Sequence, residues 1–149
     1  MKREQRISTF KRTLETGERD AASRLSEADG KLNDARQRLA QLEQYKADYT
    51  QTFGERAARG ISGPALLDFQ AFIARLAEAI QQQAMVVTRM ELERQQAHQG
   101  LRDAAVRNRA VGAVVERWRA EDRVSDNRKE QRDTDERAQR SMRTATVSG

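Results

Sequence analysis

Imidazole is the commonest metal ligand and general base near neutral pH, and this sequence contains one, His98. The residues three and four positions away, where a helix would bring partners alongside, are Arg94, Gln95, Leu101 and Arg102. None is a usual metal ligand, so no ligating spacing forms and His98 reads as a surface residue. There is no cysteine, hence no disulfide framework and no thiolate site. The serines and threonines have no partnered base. The glycine-rich run Gly60-Ile61-Ser62-Gly63-Pro64 follows no strand pattern, and it reads as a turn rather than a phosphate cradle. Paired carboxylates occur often, but on exposed helix faces they are ordinary. No catalytic, cofactor-binding or metal-ligating residue is assigned, no cofactor is expected, and the chain reads as a non-enzyme whose function lies in shape and surface.

The elements that would carry such a surface are set out by periodicity. Of 149 residues, 34% are charged, 37% hydrophobic and 5% aromatic, enough apolar material for a narrow seam but not for a round core. Ile7, Leu14, Ala21, Ala28, Ala35, Leu42 and Tyr49 recur at steps of seven. Lys11, Glu18, Leu25, Leu32, Leu39, Lys46 and Phe53 follow four residues behind them, completing a heptad seam with the first series at d and the second at a. The same rule resumes at Leu66 and Phe69 and holds to Val115 and Trp118, interrupted by Gln83, Arg94 and Asn108. Those polar residues either fix register at a cost in stability or mark places where the helices splay.

Between the two seams, residues 54–64 hold three of the eight glycines and the only proline. Gly54 or Gly60 can close the first helix through a left-handed C-cap, Ser62 or Gly63 can cap the second, and Pro64 suits its first turn. The expected fold is all-α: a long antiparallel two-helix coiled-coil hairpin with an overhanging C-terminal helix. A single coiled-coil domain spans 1–149, with helix one at about 3–56, a turn at about 57–63, helix two at about 64–140 and a disordered tail at 144–149. Folding back about residues 60 to 61 sets Tyr49 beside Phe72 and Leu42 beside Ala79, and leaves everything after Trp118 without a partner. No apolar run is long enough for a transmembrane segment and no signal-peptide pattern opens the chain, so a cytoplasmic or peripheral protein is expected.

One stretch departs from coiled-coil habit. The g positions, usually Glu or Lys, hold Tyr45 on helix one and Phe72, Ala79 and Val86 on helix two. With Leu42, Tyr49 and Leu76 they widen the apolar seam near the closed end. Two readings stand: an exposed contact patch, or a locally thickened core with the rings lying across the seam.

The segment Leu42-Glu43-Gln44-Tyr45-Lys46-Ala47-Asp48-Tyr49 resembles the L-x-x-Y-x-x-x-Y segment of the FliJ family, the soluble stalk of the bacterial flagellar export apparatus. So does Phe69-Gln70-Ala71-Phe72-Ile73 followed by Leu76, and the run from Arg128 to Glu136 is similar to the family's ending. The resemblance covers nearly the whole chain. It implies a two-helix stalk whose open end enters a hexameric flagellar export ATPase. A side surface near the closed end would meet the cytoplasmic domain of the export gate, and export chaperones would be further partners. By this resemblance Leu42, Tyr45, Tyr49, Phe72, Leu76 and Ala79 form the gate-binding surface, while Arg38 and Gln83 beside them depart from the family pattern. The ATPase-binding residues are placed on the overhang at Arg119, Arg123, Arg128 and Arg132. The location implied is cytoplasmic, peripheral to the inner face of the cell membrane at the flagellar base.

Three other readings compete. The equivalent stalk of a virulence secretion system shares the fold and mechanism. A nucleic-acid-binding coiled coil is suggested by a net charge of +5, but acids lie interspersed with the bases along both helices, so no nucleic-acid partner is expected. A plain scaffold or dimeric rod explains the heptads but leaves Tyr45 and Phe72 at g unaccounted for.

Overall fold

The computed structural model describes residues 3–147. It has two helices, α1 (Arg3–Arg59) and α2 (Gly63–Val147), and no strand among the described residues. They pack against each other as an antiparallel hairpin, the all-α class that the two seams predict. The first helix runs past Gly54 and ends at Gly60, the one described glycine with positive φ, at 96°. Glycine takes that conformation without the Cβ clash that other residues meet. Its N–H donates to the Ala57 carbonyl at 3.2 Å, satisfying one of the last carbonyls of the helix. Ser62 caps α2: its Oγ accepts from the Ala65 N–H at 3.4 Å, and its carbonyl accepts from Leu66 at 3.0 Å. Pro64 then falls in the first turn, where its missing N–H leaves no bond unmade.

Both helices are longer than the expected bounds of 56 and 140. The tail expected to be disordered from Thr144 is helical through Val147; Ser148 and Gly149 lie outside the described residues. Neither glycine nor proline interrupts the last turns, and the Thr144 hydroxyl bonds back to the Arg140 carbonyl at 2.7 Å, as threonines in helices often do.

The contacts group into two units, Arg19–Asp103 on the one hand and, on the other, the chain up to Glu18 together with the chain from Ala104 on. In the first unit the seam is built on Leu32, Ala35 and Val87, with Leu39, Val86 and Met90 packed against them. Gln83 sits at a d position and its Nε2 donates to the Ala35 carbonyl at 3.0 Å. Alanine opposite leaves room for that reach, so this polar position ties the register. Arg94, at an a position, behaves differently. It remains exposed and pairs with Asp29 at the rim of the seam. Arg36 and Glu91 form a second rim pair at 3.3 Å. Exposed pairs of this kind contribute at most about 1 kcal/mol each.

In the second unit Val115 is 1% exposed and anchors the packing. Asn108 donates through Nδ2 to Glu18 Oε2 at 2.7 Å, while its Oδ1 is buried without a partner among the described residues. The layer therefore fixes an alignment at some cost in stability. Farther along, the Arg3 guanidinium lies over the Trp118 ring, 4.3 Å from its centroid, and reaches Asp122 at 3.3 Å. Glu4 pairs with Arg119 at 3.7 Å. Beyond Asp122 no described contact joins the helices, so the overhang begins about four residues later than the end of the seam at Trp118 suggests.

The pairing has a direct chemical test. Cysteines at Leu42 and Ala79, the only two in the chain, are expected to form a disulfide within one molecule under mild oxidation, because bridged Cα atoms must lie about 4.4–6.8 Å apart. Non-reducing electrophoresis at low protein concentration would read a fast-migrating monomer. Crosslinking only between molecules would mean that the helices pair in trans.

Candidate functional site

The chemistry of any site here must come from exposed side chains on helices. His98 is exposed. Among the described residues no group of His, Cys, Asp or Glu is arranged to hold a metal ion.

Near the closed end, four ring contacts between the helices and one within α1 form an aromatic cluster. Tyr49 is the hub, with its centroid 4.5 Å from Phe72, 5.1 Å from Phe69 and 6.3 Å from Tyr45. Phe53 meets Phe69 at 5.0 Å. Phe72 meets Tyr45 edge to face at 6.1 Å and 84°, the geometry in which the positive edge of one ring meets the negative face of another. Phe69, 7% exposed, is the base of the cluster, and Arg56 lies over it at 5.8 Å.

Of the six residues of the expected contact surface, ring contacts bring Tyr45, Tyr49 and Phe72 together, and the six do not share one depth. Leu76 is buried at 8% exposure, so it backs the surface and is not open to a partner. Leu42, Tyr49, Phe72 and Ala79 are half-buried, and Tyr45 stands out at 52%. The g positions therefore differ in how they are packed. Phe72 thickens the seam by lying against Tyr49, while Tyr45 shields one edge of Phe72 and gives the rest of its ring to solvent. Arg38 is exposed beside them, and Gln83 is occupied with the Ala35 carbonyl. Heptad reasoning passed over Phe53 and Phe69 as ordinary seam positions; an aromatic at Phe69 facing both Tyr49 and Phe53 was the available signal. It also passed over Met85 and Leu92, 68% and 54% exposed on the outward face of α2.

The four arginines of the expected overhang site are not brought together. At about 100° per residue, Arg119 and Arg123 share one face and Arg128 and Arg132 share nearly the opposite one. Arg119 is committed to Glu4 and, at 3.5 Å, to Glu116. Arg128 and Arg132 instead line a shallow groove with Arg117, Val124 and Lys129. From Arg119 to Val147 every residue is exposed.

A model of the flagellar FliJ protein family matches residues 3–146 of this hairpin. The chain belongs to the FliJ family. Membership makes it a component of flagellar protein export, and the family's role there is that of a non-enzymatic stalk. No curated protein and no solved structure matches the chain. No described helix is long and apolar enough to cross a membrane.

Proposed function

We propose that this FliJ-family chain is a two-ended adaptor of flagellar export: its aromatic side surface binds the cytoplasmic domain of the export gate and its overhang enters the hexameric export ATPase. Delivery of export chaperones belongs to the same role, as does a cytoplasmic location at the inner face of the membrane. The observation that carries the reading is the placement of Tyr45, with half its ring in solvent, on Phe72 and Tyr49 close to the turn. Aromatic side chains seated on a rigid base lose little entropy on binding, and a few of them usually supply most of an interface's affinity. At the other end, the unpaired helix lacks the large apolar seam residues of the paired part and is dense in both charges, so electrostatic contacts dominate there.

The test is binding of the purified gate domain to Tyr45→Ala and to Tyr45→Ala with Phe72→Ala. Loss of a central aromatic anchor of about 2 kcal/mol weakens binding roughly thirtyfold, and the double variant is expected to fail to bind. Retention of ATPase binding by the same variants would show that the chain is folded and that the two contacts are separate. Gate binding at wild-type strength by both variants would remove this surface from the assignment.

A further inference from the structure

Past Trp118 the seam positions of α2 turn to Asp122, Ser125, Lys129, Arg132 and Glu136, which no apolar neighbour would cover. A different face of the helix takes up the heptad rule. Ala120, Val124, Asn127, Gln131, Thr134 and Ala138 follow at alternating steps of four and three, and the steps run on uncharged to Ala145. Charged residues crowd the remaining positions of the segment. An isolated solvated helix has no reason to keep one heptad face free of charge; a face that meets another helix does.

The flanking charges say which helix. Arg123, Glu130 and Arg137 precede the core positions of this face, and Glu121, Arg128 and Asp135 follow them, so the sign alternates from one heptad to the next on both sides. In a parallel, in-register pair each flanking residue meets the one five positions on in the other chain. Arg123 would face Arg128 and Glu130 would face Asp135, like charges throughout. In an antiparallel pair centred between Arg132 and Asp133, Gln131 lies opposite Thr134 of the second copy and Val124 opposite its Ser141. Glu130 then faces Arg137 of the second copy and Arg128 faces its Asp135, and two-fold symmetry repeats both attractions. Among the described residues, no ion pair within the chain engages the side chains of Arg128, Glu130, Asp135 or Arg137.

We propose that this uncharged face of the overhang is an interface for a second copy of the same chain, paired antiparallel along residues 120–145. It is a weak and salt-sensitive association, since the core is alanine, serine, threonine and amides with one valine, and direction and register come from the flanking charges. It does not depend on what the overhang binds in the export apparatus.

Sedimentation equilibrium of the full chain tests it. At about 0.01 M salt, where charges interact over roughly 30 Å, the dimer fraction is expected to rise with concentration, and at about 1 M salt to fall. Glu130→Arg sets like charge against Arg137 of the second copy twice and is expected to lower the association constant about tenfold. Adding Arg137→Glu restores the wild-type sign pattern and is expected to recover it. Both positions are exposed, so circular dichroism of the variants should match wild type. A parallel pair would respond in the opposite sense, because Glu130→Arg relieves its repulsion with Asp135. The inference is overturned by a chain that stays monomeric up to about 1 mM, the weak end of measurable association. It is equally overturned by association that is unchanged or strengthened in Glu130→Arg, or by a double variant that does not recover.

Discussion

Phe69→Ala is expected to destabilise the hairpin by about 3–5 kcal/mol, the range for removing a buried phenylalanine. The ring is 7% exposed and holds Tyr49 and Phe53 at 5.1 and 5.0 Å, so its loss opens a cavity that leaves both partners without a base. At roughly 2–4 °C per kcal/mol for a chain of this size, the melting temperature should fall by about 10 °C. Tyr45→Ala, only two ring contacts away, is expected to shift it by no more than about 2 °C. Half of that side chain is already in water, and its contacts with Tyr49 and Phe72 are made at the rim, at 6.3 and 6.1 Å. Paired thermal melts followed by circular dichroism check the contrast. Equal losses for the two variants would mean that Tyr45 is a structural ring, which would leave the proposed contact surface without its exposed aromatic.

Ending the chain after Arg123 is expected to abolish stimulation of the export ATPase while leaving the melting temperature of the hairpin within about 2 °C of wild type. The cut falls there because Arg3 still needs Glu121 and Asp122, at 3.7 and 3.3 Å, and Glu4 still needs Arg119. A cut directly after Trp118 would confuse loss of function with fraying of the N-terminal turns. The described residues removed by the later cut, 124–147, are all exposed and make no described contact with α1, so the hairpin loses no buried packing with them. ATPase assays at increasing salt should show the intact chain losing its effect as exposed charges become screened beyond about 10 Å at roughly 0.1 M. Full stimulation by the shortened chain would place the insertion element within the paired helices.

The heptad pattern by itself was sufficient for two helices, their facing seams and the all-α hairpin class, because a seven-residue apolar repeat has one low-energy solution, a helix with a stripe to bury. It likewise located the reversal within residues 54–64. Which glycine ends α1 was not legible: Gly54 and Gly60 are equally permissive, and only the backbone, with φ of 96° at Gly60, separates them. Nor could position letters say how Gln83, Arg94 and Asn108 would behave. Gln83 turns inward because Ala35 leaves its carbonyl within reach, Arg94 stays at the rim because Asp29 waits there, and Asn108 is half satisfied by Glu18. Tyr45 and Phe72 both occupy g, yet one is exposed and the other half-buried, since Phe72 lies against Tyr49 at 4.5 Å whereas Tyr45 packs only on the outer edge of that pair. Periodicity fixes which face a residue occupies; its depth and partners depend on the side chains across the seam, and those meet only when the chain has folded.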